Sequence, residues 1–300
     1  MGYHQPVLLD ESIEGLAIDP DGIYVDATFG GGGHTKVILE KLKSGKLFGF
    51  DQDEDVLANL GFFKNPLFTF IPVNFRYMKK YLRLNGVNSV DGILADLGVS
   101  SHQIDTPTRG FSTRFDAELD MRMDQKADLT AKKIINTYDE ASLQEIFGKY
   151  GEIRNAKTLA SAIIKTRHYR PINTVSQFKE SIGHLVPKRR PNKYFAQVFQ
   201  ALRIEVNQEM KALEALLLQS EDLISVGGRL VVISYHSLED RLVKNFINKG
   251  VVQGELRKDF FGNPLRPFNP LVKKPVTATP LELESNPRSR SAKLRIAERI

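Results

Sequence analysis

Tyr24-Val25-Asp26-Ala27-Thr28-Phe29-Gly30-Gly31-Gly32-Gly33-His34-Thr35 is the stretch on which the fold turns. Ile23 to Val25 is β-branched or aromatic, four glycines follow without interruption, and Thr35 to Leu42 places apolar residues at helical spacing. The order is strand, glycine loop, helix. Glycine has no Cβ and accepts positive φ, so such a loop lets backbone N–H groups approach a ligand at a helix start. A glycine run also serves as a plain turn, and Thr35 or Lys36 stands where a dinucleotide fingerprint has its third glycine. The loop alone does not choose between turn and ligand site.

Downstream residues add to it. Lys46-Leu47-Phe48-Gly49-Phe50 is a second short strand ending in Asp51-Gln52-Asp53. Asp51 stands about 20 residues past the loop, the spacing of a ribose-binding carboxylate. Capping of the next helix is the alternative role, and Asp53 or Asp55 can fill it instead. Leu67 to Val73 is a third strand running into Asn74-Phe75, where Phe75 is either core or a wall for an adenine. Val90 to Ala95 is a fourth, ending in Asp96-Leu97-Gly98-Val99-Ser100-Ser101. Four apolar strands separated by helices, each ending in polar or glycine residues, predict an open parallel α/β sheet with its site at the carboxyl edge. A short helix over 7–16 and a turn at Pro20-Asp21-Gly22 lead into it.

After the fourth strand the pattern changes. Residues 102–128 are polar and irregular, and from Leu129 to Leu202 only helical segments are legible, among them Leu143 to Phe147 and Leu159 to Ile164. Thr174-Val175-Ser176-Gln177 has capping-box spacing, and Phe195 to Leu223 reads as a long helical stretch with at most one break. Strand character resumes at Gly227 to Ser234, followed by Tyr235-His236-Ser237-Leu238-Glu239-Asp240-Arg241. Residues 251–287 read as loop and basic surface, and Ser291 to Ile296 as a closing strand. Roughly a hundred helical residues between two strands exceed an ordinary βα connection, which predicts an inserted domain. The boundaries read as 1–107 and 207–300 for the sheet domain and 108–206 for the inserted, all-helical one.

At 300 residues and 41% hydrophobic composition, the chain can bury two cores. It has no cysteine, which excludes disulfides, thiolate metal sites and a cysteine nucleophile and fits a reducing compartment. No apolar run approaches the ~18 residues needed to span a bilayer. The N-terminus lacks a charged region followed by a hydrophobic one, so a cytoplasmic location is expected. The six histidines show no His-Glu-x-x-His spacing, and no metal site is expected. Net charge is +6 with pI near 9.3. The cations cluster at Arg167-His168-Tyr169-Arg170, Lys188 to Lys193 and Arg288 to Arg295. Each cluster alone reads as a solvated face, and together they favour a phosphate backbone as partner.

Seven segments carry a resemblance that covers nearly the whole chain. They are Asp26 to His34, Asp96 to Ser101, Arg109-Gly110-Phe111-Ser112, Leu119-Asp120-Met121-Arg122-Met123-Asp124, Phe199 to Ile204, Tyr235 to Arg241 and Asn286 to Arg295. In this order the chain resembles the bacterial ribosomal RNA small subunit methyltransferase H family, which methylates N4 of a cytidine in 16S rRNA. The resemblance implies a class I (Rossmann-like) methyltransferase sheet with the helical insertion, S-adenosylmethionine as methyl donor, and 16S rRNA in the decoding region of the small ribosomal subunit as partner. It implies donor contacts at Gly32, Gly33, His34, Asp51, Phe75, Asp96 and Gln103, and leaves a monomer or a homodimer open. The chain departs from the family pattern at His102, where proline is common, and around Thr113 and Ala117-Glu118.

Residue chemistry is consistent with these roles. The glycine loop, Asp51 and Phe75 can hold the methionine end, the ribose and the adenine of such a donor. His34 stands at a helix start, where it is either a structural residue or a ligand contact. Direct transfer to a cytosine amine is slowed by delocalisation of the nitrogen lone pair, which acceptors around the amine would oppose. Asp96, the carbonyls of Leu97 and Gly98, and the Ser234-Tyr235-His236 turn are the candidates, with Asp96 and His236 as catalytic residues. Tyr235 is either a stacking platform for an everted base or a core residue. Rival readings are a dinucleotide oxidoreductase, a methyltransferase of small molecules, and a noncatalytic ribosome-assembly factor.

Overall fold

The computed structural model describes residues 5–252, 254–256, 258–262 and 265–300. Of the stretch 251–287 read above as loop, positions 253, 257, 263 and 264 lie outside the described residues. The chain divides into two compact units, Met1–Gly98 with Met210–Ile300, and Val99–Glu209.

In chain order the first unit begins with α1 (Leu9–Leu16), β1 (Ile23–Asp26), α2 (Gly33–Lys41), β2 (Lys46–Phe50), β3 (Phe68–Ile71), α3 (Met78–Leu84) and β4 (Val90–Asp96). The second unit holds α4 (Ser101–Asp105), α5 (Ala131–Thr137), α6 (Glu140–Lys149), α7 (Ala156–Tyr169), α8 (Val175–Ile182) and α9 (Pro191–Asn207). The chain then runs through α10 (Glu209–Leu223), β5 (Ile224–Ser234), α11 (Ser237–Lys249), β6 (Phe268–Pro270), α12 (Pro280–Ser285) and β7 (Lys293–Arg299).

The sheet order is β3-β2-β1-β4-β5-β7-β6. Strands β1 to β5 pair in parallel, whereas β7 runs antiparallel to both β5 and β6. From β1 the chain moves outward through β2 and β3 on one side, and β4 and β5 lie on the other. The strand order therefore reverses between β1 and β4, and the carboxyl ends of these two strands are where open α/β sheets bind ligands.

Side-chain alternation explains why this sheet is covered on both faces. Val25, Ile93, Ala95, Leu230 and Val232 enter one buried cluster with α3, α10 and α11, while Tyr24, Leu94, Val231 and Ile233 enter another with α1 and α2. Neighbours along each strand thus point to opposite faces, and both are apolar, as a buried parallel sheet requires. Each fully buried aliphatic side chain contributes about 1.5–3 kcal/mol.

The second unit has its own core, formed by residues such as Leu143, Phe147, Leu159, Phe178, Val198 and Leu202. The expected capping box is present at Thr174, whose hydroxyl accepts from Gln177 N while the Gln177 side chain accepts from Thr174 N. The break expected in the long helical stretch falls at Gln208, which caps α9 with φ of 50°. Leu119 to Asp124 proves to be architectural. Arg122 makes paired bonds to Asp120 and donates to the carbonyls of Gln125 and Ala127, and Arg109 donates to the carbonyls of Arg122 and Met123.

Two elements lie where sequence predicts loop. The three-residue β6 contains a proline and is too short for a periodic signal. Helix α12 had a legible start: Thr279 caps it, Pro280 follows at the first position, and Glu282 lies three residues past the cap.

Candidate functional site

Three aspartates occupy the carboxyl ends of adjacent strands: Asp26 at the end of β1, Asp51 directly after β2, and Asp96 at the end of β4. Asp26 is buried, and accepts from Thr28 N at 3.1 Å and from the Thr35 hydroxyl at 2.7 Å, which ties the tip of β1 to the first turn of α2. Asp51 accepts from Gly30 N at 2.8 Å and from Asp53 N at 2.9 Å. Asp53, not Asp51, caps the 3₁₀ segment Glu54–Phe62. The strand-tip carboxylate is thus spared from capping and instead holds the glycine loop. Asp96 donates its N–H to the Thr28 hydroxyl at 2.7 Å, and its Oδ1 accepts from the Tyr235 hydroxyl at 2.8 Å. Among the described residues its Oδ2 accepts no hydrogen bond.

These carboxylates face a common electrostatic cost. Burial raises each of the three to about 6, and the negative charges of neighbours add to the rise at Asp51 and Asp96. Among the described residues no lysine or arginine pairs with any of them. Burial also pushes the Tyr235 hydroxyl upward, reinforced by Asp96, so it remains a donor. Tyr235 packs against Gly98, where an added Cβ would stand 3.4 Å from the ring. This places Tyr235 as a partly buried residue whose hydroxyl fixes the Asp96 carboxylate.

The glycines divide by what surrounds them. An added Cβ at Gly32 would meet the Phe63 ring at 2.2 Å, and one at Gly33 would meet Pro6 Cγ at 2.2 Å. Gly30 and Gly32 also adopt positive φ. Gly31 is exposed, and nothing lies within 4 Å of the position its Cβ would take. Packing therefore dictates Gly32 and Gly33, and the open side of the loop is at Gly31.

The N-terminal segment lies on the same helix start. Asn286 donates to the Gln5 carbonyl, Leu8 N donates to Glu282 Oε1, and His34 Nε2 lies 3.3 Å from the Val7 carbonyl. His34 is buried, and burial holds its ring below the ordinary histidine value, opposed by the charge of Asp96. Phe75 follows β3 on a 3₁₀ turn capped by Asn74, and packs partly buried against the sheet's core.

His236 is the N-cap of α11. Its Nδ1 accepts from Glu239 N, and Glu239 in turn accepts from the backbone N–H groups of Tyr235 and His236. Its side chain is 8% exposed, and Nε2 lies 3.2 Å from Glu239 Oε1 without hydrogen-bond alignment. Gln103 belongs to the second unit, where its side chain completes the capping box of α4 with Ser100.

Gly32, Gly33, His34, Asp51, Phe75 and Asp96 thus lie on or just after the carboxyl ends of β1 to β4, with His236 two residues past the end of β5. Asp26, Thr28 and the Asp96–Tyr235 bond carry the site's geometry without having been assigned roles in the sequence. An aspartate ending an otherwise apolar central strand was the available signal for Asp26.

Several cations of the basic clusters are engaged within the fold. Arg167 donates to the Ile135 carbonyl, Arg170 pairs with Glu180 at 2.7 Å, and Lys293 and Arg295 both pair with Asp240. Lys188, Arg189 and Arg190 are exposed. No helix among the described residues is long and apolar enough to cross a membrane.

A family model described as the MraW methylase family matches residues 1–300. Curated proteins called ribosomal RNA small subunit methyltransferase H are similar to this chain. The one from Cytophaga hutchinsonii is 59% identical over 297 residues, covering 99% of this chain and 99% of its own. The one from Amoebophilus asiaticus is 57% identical, covering 99% and 96%. The one from Flavobacterium johnsoniae is 56% identical over 301 residues, covering 100% and 99%.

Proposed function

The chain belongs to the MraW methylase family, and from that premise we propose that it transfers a methyl group from S-adenosylmethionine to N4 of a cytidine in small-subunit ribosomal RNA. Its relatives' shared name supports ribosomal RNA as the substrate class and the small subunit as the source. The observation that carries the donor site is the trio Asp26, Asp51 and Asp96 at the strand tips, raised toward neutrality and paired with no fixed cation. Such a set fits a ligand that brings its own positive charge and hydroxyl donors. Bound there, S-adenosylmethionine supplies an electrophilic methyl group on a sulfonium centre.

The chain's own residues do the rest. Gly31 offers backbone that a ligand can reach, while Asp51 fixes the loop through Gly30 N and presents a carboxylate for ribose hydroxyls. Phe75 is the residue proposed to flank the adenine, and His34, in the first turn of α2, links the helix start to the N-terminal segment at the Val7 carbonyl. Tyr235 holds Asp96 Oδ1, which leaves Oδ2 as an acceptor for an amine proton. A carboxylate with a value of about 6 in the free protein suits a group that takes the proton released once the amine has been methylated. Asp96 is therefore the proposed catalytic residue. His236, buried as a helix cap, is proposed to act by positioning Tyr235 through the Glu239 capping box. Gln103 enters the donor site only by the family resemblance.

The first unit is proposed to bind the donor and the helical unit the RNA, with the exposed Lys188-Arg189-Arg190 run on phosphates, and the cytoplasm is the proposed location. The test is transfer of labelled methyl to small subunits lacking the modification, by wild type, Asp96→Ala and His236→Ala. Asp96→Ala is expected to abolish single-turnover transfer and His236→Ala to slow it. Full activity of Asp96→Ala would remove the proposed acceptor.

A further inference from the structure

Among the described residues, the most exposed large apolar side chains form no part of the site above. Phe260 is 98% exposed and Phe261 85%, and their rings meet edge to face at 5.6 Å. They sit on a turn built to display them. Asp259 Oδ1 accepts from Phe261 N, Gly262 N donates to the Asp259 carbonyl, and Gly262 takes φ of 87°. The base beneath this turn is fixed. The chain leaves α11 at Gly250, where an added Cβ would meet the Leu265 carbonyl at 2.8 Å, so departing and returning chains touch there. Phe268, fully buried, packs on Phe246, and Arg299 donates to the Pro267 carbonyl while lying over the Phe268 ring. The described residues at the base are thus tied to the sheet domain, while Phe260 and Phe261 are displayed to solvent.

Charge selects the partner. Between 258 and 274 the sequence holds four cations, Lys258, Arg266, Lys273 and Lys274, against the single anion Asp259. Lys258, Lys273 and Lys274 are exposed, whereas Asp259 is partly buried and turned onto its own loop. A second copy of a chain carrying +6 would bring like charge to this face, and a polyanion brings the opposite. Exposed aromatic rings with exposed lysines close by in the sequence match the way single-stranded nucleic acid is held, with bases on the rings and phosphates on the lysines.

We propose that Phe260 and Phe261 form a stacking platform for unpaired bases of the RNA, a contact outside the methyl-transfer site. The inference rests on RNA being the substrate, but the platform is tested without donor or turnover. Wild type, the double variant Phe260→Ala/Phe261→Ala and the double variant Phe260→Leu/Phe261→Leu are titrated onto fluorescent single-stranded oligouridylate of about twelve nucleotides, and onto duplex RNA, by anisotropy at several salt concentrations. Both variants are expected to lose roughly tenfold in single-strand affinity, because leucine keeps the apolar area but not the π-face. The slope of log affinity against log salt is expected to stay unchanged, since no phosphate contact is removed. Duplex affinity is expected to stay within about twofold. Wild-type single-strand affinity in either variant would overturn the platform, as would a shallower salt slope. A fall in sedimenting mass on substitution would assign the tip to a second copy instead. Donor binding measured calorimetrically on the same samples keeps the two readings separate, because loss of the platform leaves it intact.

Discussion

Replacing Asp96 by asparagine is expected to make the ligand-free protein more stable while impairing its function. The carboxylate rises from 3.8 to about 6, chiefly by burial, so ionising it in the folded state is disfavoured. A rise of about two units corresponds to ~3 kcal/mol, and the partial exposure of the side chain reduces the expected gain to ~1–2 kcal/mol. The sign follows from linkage. Because the folded value lies above the unfolded one, the stabilising contribution is complete below pH 3.8 and is lost as pH rises through about 6. Asparagine keeps the Oδ1 acceptor for Tyr235 and avoids the charge, so little hydrogen bonding is lost. Urea denaturation of wild type and Asp96→Asn, without donor, at several values between about pH 4 and pH 8 reads the difference. The variant should be more stable at pH 8 and converge with wild type near pH 4. Equal stabilities at pH 8, or a gap that persists unchanged to pH 4, would refute the claim that this carboxylate is held at an electrostatic cost.

Other consequences are equally open to measurement. Donor affinity should be level above about pH 7 and fall by up to about tenfold per pH unit per group below 6, as Asp51 and Asp96 of the free protein become protonated; calorimetry across buffers would show it, and affinity independent of pH from 5 to 8 would contradict it. Gly33→Ala should cost ~1–3 kcal/mol by driving a methyl into Pro6, while Gly31→Ala should leave stability within ~0.5 kcal/mol and weaken donor binding. Thermal melts with and without donor separate the two, and a stable Gly33→Ala protein would show that the N-terminal segment yields. Arg122→Lys should cost ~2–3 kcal/mol, since lysine cannot reproduce the fork to Asp120 together with bonds to two carbonyls. A melt unchanged from wild type would show that this motif is not architectural.

Much of the sheet was legible because its signals are local. Strand, glycine loop and helix occupy adjacent residues from Ile23 to Leu42, and Asp51 and Asp96 follow strands that announce themselves by apolar runs. Roles that depend on distant partners were not legible. Nothing in the spacing of Asp96 and Tyr235 shows that they bond, and nothing near Gly33 shows that Pro6 lies against it. Which cations of the basic clusters are engaged within the fold was illegible for the same reason, since Glu180 and Asp240, which pair with Arg170, Lys293 and Arg295, are not their neighbours in the pattern of charge. The junctions between units, read at 107/108 and 206/207, fall at Gly98/Val99 and Glu209/Met210. Composition changes gradually there, whereas packing changes at a residue.

Mass mapping of small-subunit RNA incubated with the purified protein and isotopically labelled S-adenosylmethionine tests the central claim most directly. The result expected is one labelled methyl on the exocyclic nitrogen of a cytidine, absent with Asp96→Ala. No incorporation, or incorporation at a ring carbon or a ribose oxygen, would contradict it.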